Sequence, residues 1–511
     1  MSFIESIAER VAFEQGIPLS VARRKVVRGI IGITVFPTLA AVSYLVLTFL
    51  QPLFPNPALV HAISIMVLII FLAVGIYFAL PLFTIGGVPT DEEDFAYLII
   101  TAYASKLGSS REIISRFVSS FNTILTKVTR AFSAKPPPNI ERLLTLIDVE
   151  GASPSTVEKA LMRFETMLEK RALEFRNFTE LINSMILGIY IVMPILSLVS
   201  YFMGSSGALQ GTILFSVAMT FMIVLITVIK TPKYFPKIVP YLPGLGLTII
   251  VSLLGLLAAR IMHQAAWVGV GIAIGIGGVL GYLIRRDEAK LIDEIMESLP
   301  RVLTTLYDRI REARVINIAR ALGEALRTAP LSLKRLFNPY LDNVNIDFAT
   351  KFRDYLPLAV VLRCLQDFSE VGVTELSYKV LADGLSKIYE TYETYRSATI
   401  GIWATLCFIM PLVLSIAFSL VTYVTAKIMP TTSVSGAGIG IVITIPPMNY
   451  VMMCGVILVA LSGFAGGFAR YGRLAEALLW MGLSTLLFTF MSYVAVQSGL
   501  LASFLKSTVG A

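Results

Sequence analysis

Residues 375–421, ELSYKVLADGLSKIYETYETYRSATIGIWATLCFIMPLVLSIAFSLV, decide the fold. A charged amphipathic lead-in carrying Glu375, Lys379, Lys387 and Arg396 passes without interruption into an apolar run. The same order occurs earlier, where Glu158, Arg163, Glu165, Lys170, Arg171 and Arg176 lead into LINSMILGIYIVMPILSLVSYFM at 181–203. Both apolar runs hold a Met-Pro step, Met193-Pro194 and Met410-Pro411, and both lead-ins follow an acidic turn with glycine, DVEGAS at Asp148 and EVGVTE at Glu370. Shared marks in one order read as a duplicated unit, a soluble helical bundle joined to a membrane helix.

Composition sets the class. Hydrophobic residues make up 56% of the 511 residues, only 15% are charged, and the mean hydropathy is +0.77. A chain this apolar is expected to be an all-α, polytopic membrane protein. The net charge of +8 would suit nucleic acid in a soluble protein, but here excess Lys and Arg marks the cytoplasmic side of the spans. No nucleic-acid partner is expected; anionic lipid heads are.

Runs of roughly 20 apolar residues, the length a membrane helix needs, give about nine spans. The organisation reads as an interfacial helix at 1–28, a transmembrane hairpin at 29–86, a soluble helical domain at 87–180, four spans at 181–284, a second soluble domain at 285–397, and three spans with a short outer terminus at 398–511. In the first domain Thr90 and Glu93 have capping-box spacing, Phe95, Leu98, Ile99 and Ala102 share a helix face, Gly108 stops that helix before Ser109 or Ser110, and Ser155 with Glu158 starts the long helix. In the second, Ile292, Ile295, Leu299, Val302, Leu303 and Leu306 recur at helical spacing. With the amino terminus inside, the Arg23 cluster, both domains, Lys230, Lys233, Lys237, Arg285, Arg286, Arg470 and Arg473 all fall on the cytoplasmic side, and the carboxy terminus falls outside. Both Met-Pro spans then leave the cytoplasm in one direction.

Motifs for chemistry are missing from the sequence. It has no phosphate-binding G-x-x-x-x-G-K-[ST] loop, and Cys364, Cys407 and Cys454 have no C-x-x-C spacing, so no catalytic residue, metal or cofactor is expected. The glycine-rich VGVGIAIGIGGVLGY lies within a span; Gly271 with Gly275, Gly277 with Gly281, and Gly463 with Gly467 are spaced to let helices approach closely. Arg260 and Glu476 sit near span ends, where they are expected to snorkel, which leaves the span centres without the ionisable groups a transporter needs. Pro194 and Pro411 are expected to kink their helices and couple them to the soluble domains.

The layout of two helical domains, each followed by a span, resembles the type II secretion F-domain family, the platform proteins of type IV pilus and secretion machines, and most of all its archaeal branch. The motifs that carry the likeness are the domain openings DFAYLIITAYASKLGSSREII from Asp94 and LPRVLTTLYDRIREARVINIARAL from Leu299. The first opening has Phe95 in place of the family's proline and keeps Gly108; the second keeps Pro300 and has Ala313 in place of the glycine. The resemblance implies a non-enzymatic platform in the cell membrane, a homodimer that docks a hexameric cytoplasmic secretion ATPase and guides pilin subunits into a pilus or an archaellum. Repeat position and charge make Lys106, Arg111, Arg309, Arg311 and Arg314 the candidates for ATPase contact. A secondary transporter is the competing class.

Overall fold

The computed structural model describes residues 90–132, 136–186, 266–284, 286–313, 318–342, 355–427 and 448–497, with isolated positions elsewhere. Among these residues the chain is all-helical, without a strand. The stretches assigned to the first transmembrane hairpin, and most of those assigned between 187 and 261, lie outside the described residues.

Helix α1 (Thr90–Leu107) is followed by α2 (Ser110–Phe121), α3 (Thr126–Phe132), α4 (Pro138–Glu150) and the long α5 (Pro154–Ile186). Gly108 separates α1 from α2 with φ at 73°, and Ser109 caps α2 by accepting from the Glu112 N–H at 3.5 Å. The carboxylate of Glu93 accepts from Asn139 Nδ2 at 2.9 Å. Its neighbour Glu92 accepts from the backbone N–H groups of Lys127 and Val128 at 2.8 and 3.2 Å, which gives the short α3 the anionic cap its free amides require. The long helix α5 starts earlier than the Ser155 reading has it. Ser153 accepts from the Thr156 N–H at 3.2 Å, and Pro154, which has no N–H to satisfy, takes the first helical position.

The second stretch comprises α6 (Ala266–Leu283), α7 (Arg286–Ala313), α8 (Ile318–Ala325), α9 (Leu331–Asp342), α10 (Leu356–Val371) and α11 (Glu375–Ala398). The periodic residues of α7, Ile292, Ile295, Leu299, Val302, Leu303 and Leu306, are all buried. Both acidic turns end a helix on a glycine of positive φ. Gly151 (φ 75°, ψ 172°) ends α4 by donating to the Ile147 carbonyl at 2.9 Å, and Gly372 (φ 68°, ψ 49°), left-handed, ends α10 by donating to the Phe368 carbonyl at 3.0 Å. Only glycine takes such a φ without strain, so it is the residue that turns the chain into the long helix that follows.

The two soluble stretches do not form separate cores. Every residue of α1 from Phe95 to Ala104 is buried, so this helix is not amphipathic but central, enclosed by α2, α4, α5 and α11. Helix α11 lies against α1, α5 and α7, so closely that a Cβ at Gly384 would stand 2.0 Å from Leu98 Cδ1. One apolar cluster therefore runs from Phe95 to Ile388 through both stretches.

A buried polar clamp fixes their register. Asp367 on α10, 1% exposed, accepts from Tyr103 Oη on α1, from Ser120 Oγ on α2 at 2.8 Å, and from the Arg116 guanidinium, which also reaches Glu370 at 3.0 Å. Asp367→Ala would strand a phenol and a hydroxyl at once and leave Arg116 with Glu370 alone. We expect it to lower stability by about 3–5 kcal/mol, with Asp367→Asn losing clearly less, both read from unfolding midpoints of the protein in detergent micelles.

Candidate functional site

After α11 the chain does not stop. Thr399 (φ −88°, ψ 0°) leads into α12 (Ile400–Ala404), a π-helical turn at Thr405–Ile409, and α13 (Met410–Lys427). The unbroken helical segment long and apolar enough to cross a membrane is Glu375–Val421, of 47 residues. At 1.5 Å per residue it is a rod of roughly 70 Å, half in the soluble bundle and half among apolar helices.

Pro411 explains the π turn. It has no N–H for the Cys407 carbonyl, and its ring crowds that oxygen, so the helix widens just before it. The carbonyls left over are taken by neighbouring helices α14 (Met448–Tyr471) and α15 (Leu474–Gln497): Ser462 Oγ donates to the Leu406 carbonyl at 3.2 Å, and Ser484 Oγ to the Cys407 carbonyl at 3.1 Å. Each hydroxyl has one proton and shares it with its own helix, at Val459 and Trp480 respectively. The kink is thus fixed from two sides. Pro194 is helical and buried.

Glycines set how closely these helices pack. A Cβ at Gly463 would meet Ser484 Oγ and the Trp480 carbonyl at 2.7 Å, and one at Gly467 the Glu476 carbonyl at 2.9 Å, so α14 and α15 form a tight hairpin. On α6, a Cβ at Gly271 would meet Thr489 Oγ1 at 2.1 Å and one at Gly275 would meet Leu486 Cγ at 2.3 Å. Gly277 and Gly281 are buried, but the closest approach at that level belongs to Gly278, where an added Cβ would clash with the Leu478 carbonyl and stand 2.9 Å from Gly482 Cα. Helix α6 therefore runs antiparallel to α15 along Gly271, Gly275 and Gly278. Two of the three helices in the membrane-length class, Val451–Tyr471 and Leu474–Val496, are this hairpin; Trp267–Leu283 of α6 is apolar but shorter.

The turn of the hairpin meets the base of the soluble bundle. Arg473 Nη2 reaches Asp293 Oδ1 on α7 at 3.2 Å and Glu476 Oε1 at 2.8 Å. Arg473 and Glu476 are 4% and 5% exposed, so Glu476 does not snorkel as its position near a span end suggests. It is buried beside Arg473, whose ion pair with Asp293 ties the turn to α7. From α11, the Arg396 guanidinium lies 5.2 Å from the ring of Tyr471; from the hairpin, that of Arg470 lies 4.3 Å from the ring of Trp403.

The basic candidates stand at the opposite end of the bundle. Helix α1 is antiparallel to α11, with Ser105 against Ser377 at 2.7 Å and Thr374 at 3.0 Å, which places the exposed Lys106 and Arg111 far from the joint. Helix α7 is also antiparallel to α11, and Arg309 and Arg311 lie more than four turns beyond Asp293, roughly 24 Å along the axis. Both are exposed. Arg309 is engaged by Glu312 at 3.0 Å and Glu324 at 3.8 Å, whereas Lys106, Arg111 and Arg311 have no ion pair among the described residues. Arg314 lies outside the described residues. Among those residues no three His, Cys, Asp or Glu side chains are grouped to hold a metal, and the three cysteines are buried and unbridged.

Asp94, at the start of α1, is fully enclosed and pairs with Arg171 of α5 at 2.5 Å. Burial, with Asp91 and Glu93 beside it, outweighs the pull of Arg171 and raises its pKa from 3.8 to about 7. The folded protein therefore keeps this proton where the unfolded chain has lost it. Stability contributed by the protonated carboxyl is complete below about pH 4 and declines as pH rises toward 7, at up to about 1.4 kcal/mol per pH unit. Asp94→Asn, which keeps an oxygen facing Arg171, is expected to flatten that slope in unfolding experiments between pH 4 and 7. Ser484→Ala is expected to cost about 1–3 kcal/mol by leaving the Cys407 carbonyl without its donor, and Ser484→Thr to restore most of the loss, in thermal unfolding at one pH.

No protein-family model, curated protein or solved structure matches the chain.

Proposed function

We propose that the protein is a non-enzymatic membrane platform of a type IV pilus-like machine. It docks a hexameric cytoplasmic secretion ATPase on the soluble bundle and carries that motor's motion into the membrane, where pilin subunits enter the filament; an archaellum is the alternative product of the same machine. In this reading the chain crosses the membrane about nine times, keeps the bundle in the cytoplasm, and works as a homodimer.

The observation that carries the reading is the single rod Glu375–Val421, rooted at one end in the bundle core and at the other among apolar helices. A helix resists bending over a few turns, so displacement of its soluble half moves its apolar half. The paired glycine turns at Gly151 and Gly372, each followed by a long helix, and the side-by-side packing of α5 on α11 support a duplicated lever. A transporter would need polar ligands at the proline break. At Pro411 the carbonyls of Leu406 and Cys407 are already taken by Ser462 and Ser484, which favours a structural kink over an ion site.

Charge reversal tests the docking face. A variant with Lys106→Glu, Arg111→Glu, Arg309→Glu and Arg311→Glu together should no longer co-purify the ATPase from membranes, with Arg311→Glu contributing more than Arg309→Glu because Arg309 is already neutralised. Undiminished co-purification would remove these residues from the contact. Uptake of a solute by the purified protein in liposomes would replace the platform with a transporter.

A further inference from the structure

We propose that Arg470, with Arg396 beside it, binds the phosphate of an anionic phospholipid headgroup at the joint between the bundle and the apolar helices. The inference does not depend on the machine proposed above.

Arg470 closes the apolar segment Val451–Tyr471, and its guanidinium carbon lies 4.3 Å from the Trp403 ring and 5.5 Å from that of Tyr471. Its Nε and Nη1 are shielded from water and meet no hydrogen-bond acceptor among the described residues. Of the neighbouring carboxylates, Asp293 is bound to Arg473 through both oxygens and Glu476 through Oε1, while Glu476 Oε2 meets no donor. Arg396 faces Tyr471 at 5.2 Å and reaches Glu393 at 3.6 Å, while its Nε is likewise shielded and without an acceptor. Donors of a permanent cation withdrawn from water and given no anion are costly, and the stacked ring returns part of that cost only. A counter-anion from outside the chain completes the site.

The position favours a lipid. Trp403 and Tyr471 are the side-chain types that settle at headgroup level, one part apolar and one part polar. The charged sequence of α11 gives way to apolar sequence just past Arg396, at the level where α14 ends. Ile400 and Phe408 on the same rod are 50% and 40% exposed, which offers a surface to acyl chains beneath a bound headgroup. A guanidinium donates two parallel N–H groups to one phosphate along its Nε/Nη2 or Nη1/Nη2 edge, and each of these edges of Arg470 carries one donor without an acceptor.

The test uses the full-length protein in neutral detergent micelles, titrated separately with short-chain phosphatidylglycerol, short-chain phosphatidylcholine and inorganic phosphate, with tryptophan fluorescence as readout because Trp403 underlies Arg470. Phosphatidylglycerol should give a saturable change at concentrations about tenfold below any response to phosphatidylcholine, and inorganic phosphate should give none in that range. Arg470→Gln should weaken phosphatidylglycerol binding about tenfold, the effect of one charge-assisted hydrogen bond, with helicity by circular dichroism unchanged. If that variant does not fold, Arg470→Lys should bind severalfold more weakly, because an ammonium lacks the planar fork. Equal responses to the two lipids, an equal response to inorganic phosphate, or unchanged affinity in the folded variant would each overturn the proposal.

Discussion

A polypeptide leaving water for lipid must keep every backbone N–H and C=O satisfied, and this constraint shapes the protein around Glu375–Val421. Only a continuous helix meets the requirement without help, and the bundle is joined to the apolar helices here through a helix that belongs to both. The one interruption, at Pro411, obeys the same rule. Proline removes one donor, the helix opens into a π turn, and hydroxyls from two neighbouring helices occupy the carbonyls set free. The kink is therefore a fixed bend and not a weak point, and the serines that hold it also tie the rod to the α14–α15 hairpin.

Among the described residues, two of the buried charge clusters join segments far apart in the chain. Asp367 gathers Tyr103, Arg116 and Ser120 across the two soluble stretches, and Arg473 gathers Asp293 and Glu476 where bundle and hairpin meet. Burying ions contributes little net stability compared with apolar packing, but breaking such a cluster is costly, so clusters like these select one register of helices over its neighbours. Apolar contact between α1 and α11 alone would tolerate sliding by a turn. With Asp367 locked at one end and Arg473 at the other, sliding would strand charge at both.

How far the sequence could be read follows from the range of each interaction. Local signals carried through: the glycine stops at Gly108, Gly151 and Gly372, the periodic face of α7, and the passage of α11 into an apolar helix were all legible. Errors arose where the deciding partner lay elsewhere in the chain. The alternation in DFAYLIITAYA looks like one apolar face because alanine, threonine and tyrosine suit water or core, and only the arrival of α5 and α11 on the remaining sides buries the whole helix. Glycines at four-residue spacing announce a close approach but not its azimuth, which is why Gly278 rather than Gly277 or Gly281 makes the nearest contact with α15. Glu476 beside a span end reads as solvated but is buried with Arg473, which Asp293 holds from 180 residues away, and Asp367 is defined by Arg116, 251 residues away.

The geometry also sets how far a tilt of the bundle would carry its far end. The basic residues and the Arg473 joint are separated by roughly 24 Å along α7, so a tilt of about 10° about the joint would carry those residues about 4 Å, within the range of rigid-body rotations that packed helices accommodate. The apolar part of the rod extends roughly 37 Å beyond the joint, so it would swing by about 6 Å in the opposite sense. Such a swing needs a pivot that holds while its surroundings slide. Arg473 supplies it through ion pairs to α7 and to its own hairpin, whereas Arg396 and Arg470 rest on aromatic faces, where a guanidinium can shift laterally without breaking a hydrogen bond. A joint built from ion pairs alone would lock the bundle to the hairpin; one built from stacked cations alone would let it drift. A joint that combines the two would permit a tilt without loss of register.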